Sequence, residues 1–472
     1  MNTTMRRTKI VATLGPASRS GEVIRQLITA GMDVARLNFS HGDYEDHART
    51  LSALRSIAGE LDTPITILQD LQGPKIRVGR LPGDQVELRP EMRVSLVAAA
   101  DFDGRAGAIP IDYPHLAEDA RPGMTVLLAD GAMELKVESV AAGAVECRVV
   151  EGGLLRSRKG VNFPELHLRL PSMTDKDLQD LEFGLSQDVD VVSLSFVRGP
   201  EDVRALKDRI GARGMRKPVV AKIEKPQAVE RLQEIVQEAD AVMVARGDLG
   251  VEMSPEQVPM LQKQIIELCN RRGKPVITAT QMLESMIQEP RPTRAEASDV
   301  ANAIIDGTDA VMLSGETAVG AHPVKAVEMM ARIAREVEQR IEFRTYPSAG
   351  NTLTDALAEA VRPIEAVLKP RFIVVLTASG HTAARIASER PRSPVVAVTT
   401  NPRVYHALNL LWGIRPLLVP NQADSFESLT AVAESALSSR GLVGPGDSLV
   451  ILGGIPAGAA LGTNFIKVHR VQ

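Results

Sequence analysis

A lysine and two carboxylates follow two neighbouring apolar segments in the middle of the chain. Lys222 and Glu224 are two residues apart in the run VVAKIE, so both side chains leave the same face of the predicted strand. A helical pattern and a second apolar run, AVMVA, come next, and Gly247 and Asp248 lie just beyond that run. The strand–helix–strand order makes the two strands parallel, so their carboxyl ends meet at the edge where α/β proteins keep catalytic residues.

These side chains suit a divalent metal ion and an anionic substrate. Mg²⁺ and Mn²⁺ prefer carboxylate oxygens, and a lysine beside the metal attracts phosphate or carboxylate groups. Gly247 allows the backbone to approach a ligand closely. Any one of the charged residues could instead be solvated or ion-paired at a strand end. Together they predict a metal site for a phosphorylated or carboxylated small molecule.

Eight short apolar runs alternate with helical patterns along the chain. The crossovers between them are too long for simple antiparallel pairing. Eight strand–helix units predict an α/β fold, a (β/α)8 TIM barrel. The predicted strands lie at residues 8–15, 33–39, 65–71, 190–197, 219–224, 241–248, 275–281 and 310–317. The predicted helices lie near residues 20–30, 43–60, 174–187, 200–213, 226–238, 255–272, 294–306 and 323–342.

Two further regions interrupt or follow the barrel. From near Pro74 to near Leu170 the segments are strand-like, with Asp130 and Gly131 forming a hairpin turn, which predicts an inserted small β-barrel lid domain. Insertions at this face usually touch the site, although an inert insertion is the alternative. After Arg344, alternating strands and helices predict a C-terminal doubly wound α/β regulatory domain. The predicted boundaries are 1–72 and 171–345 for the barrel, 73–170 for the lid and 346–472 for the C-terminal domain.

The composition argues against several classes of protein. A net charge of −4 without a basic block disfavours a nucleic-acid binder, and 3% aromatic residues leave few platforms for base stacking. Cys147 and Cys269 are far apart and form no CxxC, so neither a disulfide framework nor a zinc site is expected. The sequence shows neither a signal core nor an apolar stretch of roughly 18 residues. We therefore expect a cytoplasmic protein without membrane or nucleic-acid partners.

Seven sequence motifs stand out along the chain. They are RLNFSHG (36–42), KGVNFP (159–164), AKIEKPQAV (221–229), MVARGDLGVE (243–252), ATQMLESM (279–286), RPTRAEASDVANAI (291–304) and MLSGETAVG (312–320). In this order they resemble the motifs of the pyruvate kinase family, of bacterial type. The resemblance covers essentially the whole chain, and it implies a barrel, a lid inserted after the third strand and a C-terminal α/β domain.

The resemblance implies that phosphoenolpyruvate and ADP react to give pyruvate and ATP, with Mg²⁺ or Mn²⁺ as cofactor. Lys222 would neutralise charge on the transferring phosphoryl group. Glu224 and Asp248 would hold the metal, and the backbone N–H groups of Gly247 and Asp248 would hold the substrate carboxylate. Thr280 would lie near the carbon that is finally protonated, unless it is only a β-branched strand residue.

The resemblance also assigns the phosphate contacts. Arg36 would grip the phosphoryl group, although an ordinary salt bridge at the barrel end is the alternative. Arg77 and Lys159 would reach the nucleotide phosphates. A structural role is the alternative to nucleotide binding for His41. The nucleotide side of the cleft would be lined by Pro16, Asn38 and His41, and Ser314 and Glu316 would support the site from behind.

The segment after the third strand departs from the family pattern. Most members resemble DTKGPEIR, where the aspartate and threonine help to bind K⁺ together with Asn38 and Ser40. Here the segment reads DLQGPKIR, with Asp70 and Leu71 at its start and Lys75 where a glutamate is usual. An ammonium group near this pocket would supply a fixed positive charge and repel a second cation. The resemblance is therefore to the potassium-independent branch, with Asn38, Ser40 and Asp70 facing Lys75 or a vacated site. Alternatively, Lys75 points to solvent and K⁺ still binds.

The C-terminal domain resembles a regulatory domain. Family members bind a sugar-phosphate effector in a strand-to-helix loop that can hold an anion. The closing loop at residues 453–458 lacks the tryptophan and arginine that hold a second phosphate elsewhere. We therefore expect a ribose or hexose monophosphate, or AMP, although a plain N-cap is the alternative. The resemblance alone implies a homotetramer. The candidate effector residues are Thr377, Ser379, Gly380, His381 and Thr382.

Two other functions remain open from the sequence. A Mg²⁺-dependent barrel lyase or aldolase acting on pyruvate enolate would use Glu224 and Asp248. It would not need Lys222, the lid or an ADP cleft. An inactive scaffold that senses a phosphorylated metabolite is the other alternative. The presence of Lys222, Glu224, Asp248 and Thr280 together argues against a scaffold.

Overall fold

The chain forms a barrel with an inserted β domain and a C-terminal α/β domain. These features come from a computed structural model, which describes residues 5–141, 143–166, 169–346, 352–420, 426–454 and 462–472. None of the helices in these ranges has the length and hydropathy that crossing a membrane requires.

Eight parallel strands close the barrel in chain order, which confirms the predicted (β/α)8 fold. Each strand pairs with both neighbours, and the central pair places Lys222 opposite Met243. The strands are buried on both faces, as the nearly continuous valine, isoleucine and leucine runs require. Their bounds are Lys9–Leu14, Val34–Asn38, Thr66–Asp70, Val191–Leu194, Val219–Ile223, Ala241–Ala245, Val276–Ala279 and Ala310–Leu313.

The helices around the barrel begin at recognisable caps. Thr174 and Thr293 each form a capping box with an acidic residue three positions later. The helix expected at 226–238 is two helices, because Arg231 (φ −106°, ψ 24°) leaves the helical region. The bounds are Gly21–Ala30, Tyr44–Glu60, Asp175–Ser186, Pro200–Ala212, Pro226–Glu230, Leu232–Glu238, Arg246–Glu252, Val258–Arg271, Arg294–Asp306, Gly315–Ala318 and Pro323–Glu338.

Buried apolar side chains fill the interior of the barrel. Val11, Val220, Met243, Ile277 and Met312, each at most 2% exposed, belong to an apolar cluster in its interior. A second, larger cluster lies between the strands and the surrounding helices. Polar side chains emerge at the carboxyl ends of the strands, which is where barrels of this kind carry their active sites.

The inserted domain contains a six-stranded sheet and a two-stranded sheet. The predicted turn at Asp130 and Gly131 is present, with φ values of 58° and 85°, and it joins two antiparallel strands. The strands are Gln85–Leu88, Arg93–Ala98, Ala108–Ile111, Thr125–Leu128, Met133–Ala141, Ala144–Glu151, Gly153–Arg156 and Val161–Asn162, with a short helix at Leu116–Asp119.

The C-terminal domain is a five-stranded sheet flanked by helices. Four of its strands are parallel, whereas the edge strand Phe465–Arg470, which the sequence did not indicate, pairs antiparallel with its neighbour. The strands are Phe372–Leu376, Val395–Thr399, Ile414–Leu418, Ser448–Gly453 and Phe465–Arg470, and the helices are Leu353–Leu368, His381–Ser388, Pro402–Ala407 and Phe426–Ser438. Five 3₁₀ segments complete the described elements: Pro82–Asp84, Ala99–Asp101, Pro255–Gln257, Glu284–Ile287 and Leu408–Leu410.

A buried arginine joins the C-terminal domain to the amino end of the barrel. Arg390 pairs with Asp309 at 3.0 Å and donates to Gly307 O at 2.8 Å and Asn270 Oδ1 at 2.9 Å. Its guanidinium also lies over the Trp412 ring, 4.7 Å from the centroid. Asn270, Gly307 and Asp309 lie just before the seventh and eighth barrel strands, at their amino ends. The C-terminal domain therefore sits at the end of the barrel opposite to the one that carries Lys222.

Candidate active site

Lys222 lies at the centre of a buried charge cluster at the carboxyl end of the barrel. Its Nζ donates to Ser195 Oγ at 2.7 Å and lies 2.8 Å from Glu224 Oε1 and 3.6 Å from Asp70 Oδ2. Burial acts to lower the pKa of Lys222, but the charges of Asp70 and Glu224 outweigh it, so the pKa is raised. The ammonium group therefore stays charged, as a contact to a phosphoryl group requires.

Arg36 extends this cluster toward the first two strands. It contacts Asp70 Oδ2 through Nε at 2.8 Å and Nη2 at 2.6 Å, and it donates to Thr13 Oγ1 at 2.9 Å. Burial would raise the pKa of Asp70, but Lys222 and Arg36 hold it below its usual value. Asp70 thus orients two cations, Arg36 and Lys222, at one place.

Glu224 and Asp248 are the carboxylates available for a divalent metal ion. Glu224 is fully buried and accepts from the Phe196 N–H at 2.8 Å. Burial raises its pKa despite Lys222, and the charge of Asp248 adds to the effect. Across the described ranges no group of three or more histidine, cysteine, aspartate or glutamate side chains is placed to bind a metal. Two carboxylates completed by substrate oxygens and water fit Mg²⁺, and a cation there would relieve their repulsion.

Thr280 directly follows the seventh strand and has an unusual backbone conformation. Its φ is 69°, a left-handed value that is rare for a β-branched residue. Its Oγ1 accepts from the Gly247 N–H at 2.7 Å and donates to Ala279 O at 2.6 Å. The Gly247 N–H expected to hold a substrate carboxylate is therefore directed at Thr280 here.

Lys75 forms ion pairs with the barrel and the lid, and its partner differs from the expected Asp70. Its Nζ lies 3.5 Å from Asp248 Oδ1 and 3.6 Å from Asp130 Oδ1. Asn38 Oδ1 accepts from the Ser40 N–H at 3.1 Å. Lys75 therefore places its charge beside a predicted metal ligand and a residue of the lid turn.

The predicted nucleotide residues lie at the end of the second strand and on segments of the barrel and the inserted domain. Pro16, His41 and Lys159 are exposed. Arg77 donates to the Arg158 carbonyl oxygen at 3.2 Å. Asn38 ends the second strand. Glu316 accepts from the N–H groups of Ser314 and Leu283 at 2.7 and 3.1 Å, and its role in supporting the site stays a prediction.

The loop proposed for an effector uses most of its hydroxyl groups internally. Thr377 Oγ1 accepts from the Gly380 N–H at 2.9 Å, and Ser379 Oγ accepts from the His381 N–H at 3.5 Å. Thr382 is buried and shares a 2.7 Å hydrogen bond with Thr463. The N-cap residue of the helix His381–Ser388 is Gly380, and no side chain caps this helix, so a plain Ser/Thr N-cap is not what the loop forms; the anion site stays a prediction. Residues 455–458 of the closing loop lie outside the described ranges.

Three side chains that contact predicted site residues carried no functional assignment from sequence. Ser195 accepts from Lys222 and itself donates to Leu71 O at 2.7 Å. Thr13 accepts from Arg36, and Arg246 donates to Thr280 O at 2.7 Å. Each comes at or just after the carboxyl end of a barrel strand, and that position is the sequence signal that could have identified them.

Comparisons with known proteins agree with this geometry. Residues 5–327 match the model of the pyruvate kinase barrel domain, and residues 355–469 match that of its alpha/beta domain. Pyruvate kinase 2 of Synechocystis is 48% identical over 99% of this chain and 80% of its own. The pyruvate kinase of Clostridium acetobutylicum is 40% identical over 99% of this chain and all of its own. A pyruvate kinase structure from Cryptosporidium parvum aligns with a TM-score of 0.92 and 34% identity, over 99% of this chain and 96% of that one.

The two family matches together span nearly the whole chain, and the barrel, lid and C-terminal domain correspond to the family's architecture. The chain belongs to the pyruvate kinase family, the glycolytic phosphotransferases that convert phosphoenolpyruvate and ADP to pyruvate and ATP.

Proposed function

We propose that this chain transfers the phosphoryl group of phosphoenolpyruvate to ADP without requiring K⁺. The observation that carries the assignment of residues is the cluster in which Lys222 and Arg36 share Asp70 beside Glu224. Two fixed cations at one place stabilise the negative charge of a transferring phosphoryl group. Glu224 and Asp248 would hold Mg²⁺, which would supply further neutralisation of negative charge on the substrate's oxygen atoms.

The residues divide the reaction into two steps. A β-phosphate oxygen of ADP forms a bond to the phosphorus as the bond from phosphorus to the enol oxygen breaks, leaving the enolate of pyruvate. Arg36 and Lys222 hold the phosphoryl group, and Arg77 and Lys159 orient the nucleotide with Pro16, Asn38 and His41. The enolate carbon then takes a proton from solvent near Thr280, which gives pyruvate.

Lys75 supports independence from K⁺. Its ammonium group lies within 3.6 Å of two carboxylates at the mouth of the site, Asp248 and Asp130. A fixed cation there supplies charge that a bound monovalent ion would otherwise provide, and it disfavours a second cation nearby. The pocket that holds K⁺ in other family members would correspond to Asn38, Ser40, Asp70 and Leu71, as the resemblance implies.

The test is pyruvate formation from phosphoenolpyruvate and ADP with Mg²⁺, first in a buffer free of K⁺ and then with KCl. We expect full turnover in both buffers. Turnover that appears only with KCl would leave the kinase assignment intact and reject the role of Lys75. Absence of pyruvate in both, with sugar phosphates also tried, would favour the barrel lyase or the scaffold.

Regulation and assembly are inferred from the family alone. A ribose or hexose monophosphate, or AMP, binds at the loop of Thr377, Ser379, Gly380, His381 and Thr382 and activates the enzyme. The protein is a cytoplasmic homotetramer. Turnover measured with each phosphate tests the effector, and light scattering of the purified protein tests the assembly.

A further inference from the structure

The Arg246 side chain donates hydrogen bonds to the backbone carbonyl oxygens of the turn that contains Thr280. Arg246 is the first residue after the sixth strand, and its side chain is only 10% exposed. Its guanidinium donates to Thr280 O at 2.7 Å, to Ala279 O at 3.3 Å and to Gln281 O at 3.4 Å. Three consecutive carbonyl oxygens therefore face a single cation.

The turn needs such a partner because its backbone is strained. Thr280 and Gln281 have φ values of 69° and 53°, so two successive non-glycine residues are left-handed. Conformations of this kind persist only where surrounding contacts impose them, and each costs on the order of 1–3 kcal/mol. Charge-assisted hydrogen bonds to three carbonyl groups are a contact of the required strength.

The guanidinium is itself held in place by a carboxylate and an amide. Asp299 accepts from Nη1 at 2.8 Å and lies 2.7 Å from Nη2, which is a bidentate pair. Gln262 Oε1 accepts from Nη1 at 3.2 Å. The planar fork of arginine satisfies these partners and the carbonyl groups together, which a lysine ammonium does not.

We infer that Arg246 is a positioning residue that sets the orientation of the Thr280 hydroxyl for protonation of the enolate. This inference rests on the proposed role of Thr280 and adds the groups that hold it. The Thr280 hydroxyl is fixed from one side by Gly247 and from the other by the turn, and Arg246 connects both, since it precedes Gly247 in the chain.

The test compares proton exchange with ATP formation in the Arg246→Lys variant. Exchange of the methyl protons of pyruvate is followed by ¹H NMR in D₂O with Mg²⁺ and ATP, and ATP formation is followed from phosphoenolpyruvate and ADP. We expect the ratio of exchange to ATP formation to fall at least tenfold, with KM for phosphoenolpyruvate changed less than threefold. A loss of folded protein lowers both rates equally and leaves the ratio unchanged.

Arg55→Lys is the matched control. Arg55 also joins a carboxylate, Asp190 at 2.8 Å, to the carbonyl oxygens of Ile65 and Asp188, each at 3.2 Å, but at the amino end of the barrel. Its ratio should equal that of the parent protein. Asp299→Asn keeps the guanidinium but weakens its anchor, so it should lower the ratio by an intermediate factor.

Thr280→Val separates the two ideas. If Thr280→Val leaves the ratio unchanged, the proposed role of Thr280 is wrong. If Thr280→Val lowers the ratio but Arg246→Lys does not, Thr280 acts in protonation and our inference about Arg246 is overturned. The double variant should have the same ratio as Thr280→Val alone, since both changes act on one hydroxyl group.

Discussion

Reversing the charge of Lys75 should make the enzyme dependent on K⁺. Lys75 Nζ lies 3.5 Å from Asp248 and 3.6 Å from Asp130. At an effective dielectric constant near 20, a pair at this distance interacts by about 5 kcal/mol before solvent is considered. The Lys75 side chain is 25% exposed, and Asp248 and Asp130 are 30% and 64% exposed, so solvent reduces this to about 1 kcal/mol for each pair.

The Lys75→Glu variant replaces two attractions with two repulsions. The total change is then about 3–4 kcal/mol, which corresponds to more than a hundredfold in kcat/KM if it acts on the bound state. We expect K⁺-free turnover to fall by about this factor and KCl to restore most of it, because a bound cation again separates the carboxylates. Lys75→Met removes the attraction alone and should show a smaller loss.

The assay is pyruvate formation over a range of KCl concentrations, with tetramethylammonium chloride holding the ionic strength constant. Lys207→Glu serves as the control, because Lys207 is 29% exposed and pairs with Asp240 at 3.2 Å at the amino end of the barrel. This control should remain independent of K⁺. Unchanged K⁺-free turnover in Lys75→Glu would refute the argument that this ammonium group supplies the missing charge.

Three other substitutions test the contact of Gly247 with Thr280, the buried carboxyl group of Glu389 and the ion pair of Arg390 with Asp309. In Gly247→Ala the new Cβ would lie 3.3 Å from Thr280 Oγ1, which is closer than most such contacts and should displace the hydroxyl group. Turnover should therefore fall about tenfold, while the midpoint of urea unfolding stays nearly constant. Turnover equal to that of the parent protein would contradict this prediction. Burial, with nearby carboxylates, raises the pKa of Glu389 from 4.5 to about 7, so its contribution to stability is lost as pH rises between these values. Glu389→Gln should therefore raise the free energy of unfolding by about 1–3 kcal/mol at pH 8 but not at pH 4, and an equal effect at both would refute the assignment. Arg390→Met removes the partner of Asp309, whose pKa is already raised by burial. The free energy of unfolding, measured with urea, should fall by about 3–5 kcal/mol at pH 7 and by less near pH 4. A fall below about 1 kcal/mol at pH 7 would contradict the importance of this buried ion pair.

The barrel could be predicted from sequence because its signal is local and repeated. Strands such as Val219–Ile223 and Ala241–Ala245 are uninterrupted apolar runs, and helices such as Arg294–Asp306 begin at capping boxes. The edge strand Phe465–Arg470 was not predicted, because a half-exposed edge strand has a weaker pattern of apolar residues. The break between two helices at Arg231 was not predicted either, because the helical periodicity of apolar residues does not reveal a single residue with a non-helical backbone.

The site was partly accessible for the same reason. The positions of Lys222, Glu224 and Asp248 at strand ends can be recognised in the sequence. The residues that they contact cannot, because those contacts depend on how side chains from distant segments are oriented in the folded protein. Lys75 illustrates the difficulty, since its identity is plain in sequence but its pairing with Asp248 requires the lid and barrel in three dimensions. The left-handed backbone at Thr280 is equally invisible, because threonine does not favour it.

The helix Arg294–Asp306 is in contact with both ends of the barrel. Near its middle, Asp299 pairs with Arg246, and just past its last residue the Gly307 carbonyl oxygen accepts from Arg390 of the C-terminal domain. The helix has 13 residues without a break and is about 20 Å long. Because free-energy coupling between two binding events is reciprocal, a ligand of the C-terminal domain that alters the turn at Thr280 through this helix would have its own affinity changed by the same factor when a second ligand fixes that turn.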